Sequence, residues 1–141
     1  MRIMAIDYGD AHTGIAISDP TGLLAGFTTV INAYRPDRVT EQIALLAKEH
    51  RVERLVLGHP INMDGTRGPR SEKAQAMRQL LEETTGLPVV LWDERRTTID
   101  AHQILMSSGK NAKKRKKVVD AVAASLILEV YLTYLKTHPE G

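Results

Sequence analysis

The sequence predicts an α/β fold in which a mixed five-stranded sheet carries helices on both faces. Three short apolar runs near the N-terminus are separated by turn sequences, a pattern typical of an antiparallel meander. Two later apolar runs alternate with segments of helical spacing, a pattern typical of parallel strands joined by helices. Since antiparallel strands then occupy one side of the sheet and parallel strands the other, we expect helices to cover both faces.

The first half of the chain supplies four strands and one helix. Strands are predicted at residues 3–7, 15–19 and 27–32, with the turn sequence DPTGLLAG before the third. Pro36 and Asp37 begin the helix. Its inward positions follow at helical spacing: Val39, Ile43, Leu46 and His50. RLVLGHP is a continuous apolar run with the length of a buried strand, so a parallel fourth strand is expected there.

The second half continues the alternation of helix and strand. After the loop sequence NMDGTRGPR, a helix ends at Gly86 and LPVVLWDE forms the fifth strand. That helix is marked by Ala74, Met77, Leu80 and Leu81. Thr97, with Asp100 three residues later, fits a capping box for a third helix that ends near Gly109. A final long helix has one broad apolar face, formed by Val119, Val122, Ala123, Leu126 and Val130.

The bulk composition narrows the class of protein. With 141 residues, 43% of them hydrophobic and 26% charged, the chain is expected to form one domain over residues 1–141. It has no apolar run of membrane-spanning length and no secretory signal pattern, so we expect a cytoplasmic protein without a membrane partner. The absence of cysteine excludes disulfides and thiolate metal sites, and the five histidines show no paired zinc-ligand spacing.

Positive charge is concentrated in one segment. The net charge is only +2, but the stretch KNAKKRKK, residues 110–117, holds six of the 19 Lys and Arg and no acidic residue. The rest of the chain is left with 13 basic residues against 17 acidic ones. Such a confined basic patch attracts phosphates to one place, although a run of lysines is also compatible with a solvated loop.

Carboxylates stand at strand ends where a buried surface is expected. Alternation along the first strand puts Ile3, Ala5 and Asp7 on one face. An unpaired ionised carboxylate there is costly to desolvate, so Asp7 needs either hydrogen bonds from the turn that follows or a bound cation. At the end of the fifth strand Asp93 and Glu94 belong to opposite faces, and periodicity alone does not say which of them faces a site.

Asp120 is a further candidate. On the last helix it continues an apolar line through Ala124, Ile127 and Tyr131, whereas Glu129 lies on a polar line. An aspartate near the start of a helix also offsets the helix dipole, so both interpretations stay open. Oxygen ligands without Cys or paired His favour Mg²⁺ or Mn²⁺ over zinc. Two such ions about 4 Å apart would activate a water and stabilise the leaving oxygen of a phosphodiester.

Four segments, in this order, carry a family resemblance: MAIDYGDAHTGIAISD, LVLGHPINMDGTRGPRSEKA, LWDERRTTIDAHQIL and KKVVDAVAASLILEVYL. Together they resemble the bacterial YqgF family, also called RuvX, known as Holliday junction resolvases or nucleases of precursor 16S rRNA. The likeness runs from about Met1 to Leu135. It implies an RNase H-like fold of the RuvC type and cleavage of nucleic acid that depends on a divalent metal.

Carried over onto this sequence, the catalytic acids of the family fall on Asp7, Asp93, Glu94 and Asp120. The resemblance implies that Asp7, Glu94 and Asp120 hold Mg²⁺ or Mn²⁺. The fourth strand would lie between those of Asp7 and Asp93, which places these two strands about 10 Å apart, a gap that two ions can bridge. Where the family usually has GLPLNMDG, this chain has GHPINMDG, so His59 replaces an apolar residue.

The basic segment directly precedes the helix of Asp120, and this position favours phosphate binding by its side chains. The residues expected to hold the nucleic-acid backbone are Arg67, Arg70, Arg95, Lys110, Lys113, Lys114, Arg115, Lys116 and Lys117. Because aromatic residues make up only 4% of the chain, shape and backbone contacts are expected to outweigh base stacking.

We therefore expect a nuclease acting on structured nucleic acid, with the 5′ end of pre-16S rRNA as its substrate. The sequence leaves open branched junction DNA as the substrate, a non-catalytic nucleic-acid-binding factor in transcription or ribosome assembly, and a homodimer. A further interpretation, the phosphate loop of an actin-like or sugar-kinase domain, requires two domains, and this chain has room for one.

Overall fold

Five strands and three helices make up the part of the chain that the structure describes. The computed structural model describes residues 1–9, 11–19, 21, 25–59, 69–93 and 112–138. The strands are β1 Arg2–Asp7, β2 His12–Ser18, β3 Ala25–Asn32, β4 Val52–His59 and β5 Val89–Asp93. The helices are α1 Pro36–Glu49, α2 Pro69–Thr85 and α3 Ala112–Thr137. The helix predicted between Thr97 and Gly109 lies outside the described residues.

All five of these strands form one mixed sheet in the order β3-β2-β1-β4-β5. β1 and β2 pair antiparallel, as do β2 and β3, whereas β4 is parallel to both β1 and β5. The predicted meander and the predicted parallel strands are therefore both confirmed. Because β4 lies between β1 and β5, those two strands are about 10 Å apart, as the sequence led us to expect.

One side of the sheet, which we call the α1/α2 face, is covered by α1 and α2. Met4 and Ile6 of β1 join a buried cluster with Ile43 of α1 and Met77 of α2. Other sheet residues in this cluster are Ile15, Ile17, Ile31, Val52, Leu55, Leu57 and Val89. Of the predicted helical positions, Val39, Ile43, Ala74, Met77 and Leu81 are buried. Leu46 and Leu80 are half-buried, and His50 follows the last residue of α1.

The opposite side, which we call the α3 face, is covered by α3. A second buried cluster contains Ile3, Ala5, Ala16, Val56 and Trp92 from the sheet. From the helix it contains Ala124, Ile127, Leu128, Tyr131 and Leu132. Since each strand divides its side chains between two cores, the strand sequences are nearly continuous apolar runs.

The line of α3 that contacts the sheet differs from the predicted one. The predicted face residues Val122, Ala123, Leu126 and Val130 are only half-buried. The buried line is the one predicted to continue from Asp120, through Ala124, Ile127 and Tyr131. Both lines are apolar, so helical periodicity did not separate them, and contact with the sheet decides which is buried.

Two helices include residues that the sequence placed before them. α2 begins at Pro69, inside the loop sequence NMDGTRGPR, since proline is favoured in the first helical turn. α3 begins at Ala112, so residues 113–117 form its first turns rather than a segment that precedes it. Among the helices that the structure describes, none is long and apolar enough to cross a membrane.

Candidate active site

Asp7 ends β1 on the α3 face of the sheet. Ile3 and Ala5 lie in the cluster that α3 covers, and the alternation continues to Asp7, which is half-buried. Its Cα partner on β2 is Gly14, which places no side chain beside it. The carboxylate is thus held at the edge of a core, where partial desolvation strengthens its interaction with a cation or a hydrogen-bond donor.

The turn between β1 and β2 depends on Gly9. A Cβ at this position would overlap the backbone carbonyl of His12, so the turn accepts only glycine without a shift of the chain. The reversal brings His12 to the same face as Asp7. His12 alternates with Gly14 and Ala16 along β2, and Ala16 lies in the cluster that α3 covers.

An imidazole and an amide are paired beside Asp7. His12 and Asn32 are Cα partners on β2 and β3, and His12 Nδ1 lies 2.6 Å from Asn32 Oδ1. Because a carboxamide oxygen only accepts, the imidazole Nδ1–H is the donor. The pair therefore orients a histidine on the face and at the edge where Asp7 lies.

The register of β5 assigns its terminal acids to different faces. Val89 and Leu91 belong to the cluster under α1 and α2, whereas Trp92 belongs to the cluster under α3. Asp93, in register with His59 of β4, is therefore a position of the α1/α2 face, opposite to that of Asp7. Glu94 lies outside the described residues.

The end of β4 brings no carboxylate between β1 and β5. Its last residues are Gly58, in register with Trp92, and His59. His59 is 7% exposed, and its Nε2 lies 2.5 Å from Ser71 Oγ in the first turn of α2. His59 thus ties β4 to α2 on the α1/α2 face. On the α3 face, Gly58 leaves space between the two strand ends.

Asp120 stands by helical position on the line of Ala124 and Ile127, one turn before the first and two turns before the second. Tyr131 anchors the helix farther along. Its hydroxyl accepts a hydrogen bond from Arg54 Nη1 at 2.9 Å, near the start of β4. The helix from Tyr131 back to Asp120 spans about 16 Å, which is about the length of β4 from Arg54 to its carboxyl end.

For some of the other predicted site residues only the position in a helix is given, and the rest lie outside the described residues. Arg67, Arg95 and Lys110 are outside the described residues, as Glu94 is. Arg70 occupies the first turn of α2, and the first turns of α3 contain Lys113, Lys114, Arg115, Lys116 and Lys117.

A metal site is not complete within the part of the chain that the structure describes. Over those residues, no group of three or more His, Cys, Asp or Glu side chains could hold a metal ion. Asp7 is the predicted ligand whose side chain is described. Its half-buried carboxylate is a hard oxygen donor of the kind that Mg²⁺ and Mn²⁺ prefer, so the donor present fits such an ion.

Sequence patterns did not single out two aromatic residues and one amide at this edge. Tyr8 follows Asp7 and packs against the cluster under α1 and α2. Tyr34, 80% exposed, lines a groove together with Tyr8 and Lys73. Asn32 reaches His12 only through the register of β2 and β3. Tyr8 was detectable as the neighbour of Asp7, whereas Tyr34 and Asn32 required the tertiary structure.

Proteins of similar sequence match nearly the whole chain. The family model described as RuvX, Holliday junction resolvase, matches residues 1–134. A Halothermothrix orenii protein named "Putative pre-16S rRNA nuclease" is 44% identical over 134 residues, which are 95% of this chain and 96% of the relative. A protein of the same name from Bacillus subtilis is 43% identical over 137 residues, 96% of this chain and 99% of the relative.

Solved structures share the fold at low sequence identity. RuvC of T. thermophilus, in complex with a Holliday junction substrate, has a TM-score of 0.64 and 16% identity, with 97% of both chains covered. Fowlpox virus resolvase, in complex with Holliday junction DNA, has a TM-score of 0.53 and 11% identity, with 98% of this chain and 99% of that chain covered. These likenesses confirm the RNase H-like fold of the RuvC type.

Proposed function

Because the chain belongs to the RuvX family of Holliday junction resolvases and is therefore a nucleic-acid hydrolase, we propose that it processes the 5′ end of pre-16S rRNA by metal-dependent cleavage. The name of its relatives supports this substrate. The observation that carries the chemistry is the half-buried carboxylate of Asp7 at the carboxyl edge of the sheet, where open α/β sheets place their sites. A substrate transcribed in the cytoplasm would place the protein there.

Asp7, Glu94 and Asp120 are the residues that we propose as metal ligands. Asp7 and Asp120 are positions of the α3 face by strand and helix register. Glu94 follows Trp92 by two residues, and Trp92 belongs to the cluster under α3. Asp93 is a position of the opposite face, so strand alternation supports Glu94 over Asp93 as the ligand from this part of the chain.

The sheet sets the spacing of these donors. β1 and β5 are about 10 Å apart, and Gly58 of β4 contributes no side chain between them. Bound Mg²⁺ or Mn²⁺ would supply a nucleophilic water at neutral pH and stabilise charge on the leaving oxygen. The protein's own part is to fix its oxygen donors: Asp7 through the sheet, and Asp120 through a helix that Tyr131 anchors on Arg54.

The nucleic-acid backbone is proposed to contact the basic residues around this edge. Five of them stand in succession in the first turns of α3, where the helix dipole also favours an anion. The full proposed set is Arg67, Arg70, Arg95, Lys110, Lys113, Lys114, Arg115, Lys116 and Lys117. His12, which Asn32 orients on the face of Asp7, is placed to contact the backbone closer to the cleaved bond.

The test is cleavage of a 16S rRNA fragment with a 5′ extension, in Mg²⁺, in Mn²⁺ and in EDTA. The wild-type protein should remove the extension only when a divalent ion is present. Asp7→Asn should slow cleavage by roughly 100-fold or more, since the loss of a direct ligand should exceed the 10–100-fold effect of an outer-shell change. Asp37→Asn is the matched control, because Asp37 is exposed and paired with Arg35 at 2.8 Å, and it should cleave as the wild type does.

Two results would contradict this proposal in different ways. Equal turnover by the Asp7→Asn variant would remove the catalytic role of Asp7. Tight binding without metal-dependent scission would instead identify a binding factor. A four-way DNA junction is tested in parallel, because the family description names this substrate. Faster cleavage of the junction than of the RNA would select resolution of branched DNA.

A further inference from the structure

A groove opens on the α1/α2 side of the carboxyl edge, next to the candidate active site. It has a volume of about 440 Å³. It is lined by Tyr8 at the end of β1, by Tyr34 and Pro36 where α1 begins, and by Lys73 and Met77 of α2. The groove therefore combines aromatic and apolar side chains with a cation, and none of these residues belongs to the metal site proposed above.

Tyr34 is presented from a fixed backbone. It is 80% exposed and lies in the short connection between β3 and α1. On one side of it, Ala33 N–H donates to the Ala11 carbonyl at 3.1 Å. On the other side, Arg35 is held extended, as the residue before Pro36 must be. Because these contacts hold the backbone on both sides of Tyr34, a ligand that stacks on the ring requires little additional ordering of the main chain.

The groove and the candidate active site lie at the same edge of the sheet, on its opposite faces. Tyr8 directly follows Asp7 on β1, so the two side chains leave the same edge of the sheet on opposite faces. Lys73 bounds the groove on the α2 side, and Arg70 lies one turn earlier in the same helix. Aromatic rings with a cation alongside suit a nucleotide, which offers a flat base and a phosphate together. A purely apolar peptide would not use the cation.

We propose that this groove binds an unpaired base of the RNA, stacked on Tyr34 and Tyr8, with the adjoining phosphate at Lys73. The inference rests on the proposed function and specifies its substrate as structured RNA joined to a single-stranded segment, since bases within a helix have no free face to offer. Low aromatic content led us to expect little stacking, yet two of the four tyrosines line this groove.

The test measures binding by the full-length chain with Asp7→Asn, which keeps the RNA uncleaved. The probes are the 16S fragment with its single-stranded 5′ extension, the same RNA with one abasic nucleotide moved stepwise along the extension, and a blunt duplex of equal length. Tyr34→Ala should weaken binding of the extended RNA by roughly 5- to 150-fold, the range for loss of one base–aromatic stack. It should leave binding of the blunt duplex unchanged.

Coupling between protein and RNA changes locates the contact. At one position, the abasic nucleotide should weaken binding to the Tyr34 protein by a similar factor and add nothing to the effect of Tyr34→Ala. Tyr34→Trp should retain the affinity, since a stacking surface remains. The matched control is Leu45→Ala, which removes another exposed apolar side chain, 68% exposed on α1, and should bind as the parent does.

Two outcomes would overturn the groove as a base-binding site. One is equal loss of binding for the extended RNA and the blunt duplex in Tyr34→Ala. The other is independence of the two changes, in which the factors by which Tyr34→Ala and the abasic nucleotide weaken binding multiply at every position of the abasic nucleotide. Cleavage assays with Asp7 intact keep the two proposals apart. Coupling between Tyr34→Ala and the abasic nucleotide without metal-dependent cleavage would contradict the nuclease proposal alone. Metal-dependent cleavage without that coupling would contradict the base-binding groove alone.

Discussion

We expect the carboxylates at the ends of β1 and β5 to bind the same metal ions only where they are positions of the same face of the sheet. Asp7 follows Ile3 and Ala5 to the α3 face, whereas Asp93 follows Val89 and Leu91 to the other face. We therefore expect ions bound at Asp7 to take their further ligands from positions of the same face. On this argument strand parity distinguishes the neighbouring acids Asp93 and Glu94.

This parity predicts unequal effects for two neighbouring substitutions. Glu94→Gln should slow cleavage of the extended 16S fragment by roughly 100-fold, as a ligand change would, and Asp93→Asn by less than about tenfold. Single-turnover cleavage measured across a Mn²⁺ titration reports both the rate and the metal concentration at half-maximal rate. Glu94→Gln should move that concentration upward, and Asp93→Asn should leave it in place.

The opposite ranking of the two variants would reject the parity argument. Urea unfolding followed by Trp92 fluorescence supplies the control, because both variants should retain a cooperative transition. A variant that lost activity together with its folded structure would show a collapsed transition instead.

Residue patterns predicted part of this site. Alternation alone placed Asp7 on the face of Ile3 and Ala5. It gave no preference between Asp93 and Glu94, because both faces of β5 are covered and the sequence does not say that Trp92 packs under α3. The pairing of His12 with Asn32 could not be predicted from the sequence either, since it depends on the register of two strands.

At the scale of elements, α3 is attached to the sheet by an aromatic and hydrogen-bonded contact. Tyr131 is fully buried, and its ring meets Trp92 edge-on with centroids 5.4 Å apart. Its hydroxyl accepts from Arg54 at 2.9 Å. The ring supplies apolar burial, and the hydroxyl accepts a hydrogen bond from a charged donor at a defined point on β4. Together they fix where along the sheet the helix rests.

Substitutions of Tyr131 separate these two contributions. Tyr131→Phe keeps the ring and loses the bond from Arg54, so the free energy of unfolding should fall by about 1–2 kcal/mol. Tyr131→Ala removes the buried ring and should cost about 3–5 kcal/mol. Tyr134→Phe, whose ring also meets Trp92 at 5.4 Å, is the control and should stay within about 0.5 kcal/mol of wild type. Urea denaturation measures all three, and an equal cost for Tyr131→Phe and Tyr134→Phe would show that the bond contributes nothing.

The sequence predicted the existence of α3 but not the face that it buries. Two neighbouring lines of the helix are apolar, one with Leu126 and Val130 and one with Ala124 and Ile127. The second is buried because it meets the small residues Ala5 and Ala16 on the sheet. Such a choice between two apolar lines depends on the shape of the partner surface, which periodicity does not contain.

At the scale of the whole molecule, five of the 19 basic residues stand in succession at one end of α3, while the chain outside residues 110–117 has an excess of acids. The overall topology that positions this end was predictable, because a meander followed by alternating helices and strands admits few sheet orders. The helical conformation of the basic segment was not predictable, because a run of lysines has no amphipathic period.

This charge distribution predicts that the affinity for RNA depends on salt concentration. Replacement of Lys113, Lys114, Arg115, Lys116 and Lys117 by Gln should lower the slope of log affinity against log salt concentration by up to about four, since each lost phosphate contact removes roughly 0.7–0.9. Lys136→Gln, at the other end of α3, should leave the slope unchanged. Fluorescence anisotropy of a labelled 16S fragment at several KCl concentrations measures the slope.

The same variant should be no less stable than wild type, because cations at a helix N-terminus oppose the helix dipole. Thermal unfolding checks this point. A slope equal to that of wild type would show that these five side chains do not contact phosphates.

The proposed phosphate-binding turns of α3 and Asp120 are only three residues apart on a helix that Tyr131 pins to β4. Because α3 is attached to β4 at Tyr131, contact of its first turns with the RNA backbone should also restrict the position of Asp120. We therefore expect RNA at these turns and a divalent ion at Asp120 to act as reciprocal effectors, since the factor by which either ligand tightens the other is the same in both directions. The free concentration of the ion would then govern how long a transcript stays bound, in addition to how fast it is cut.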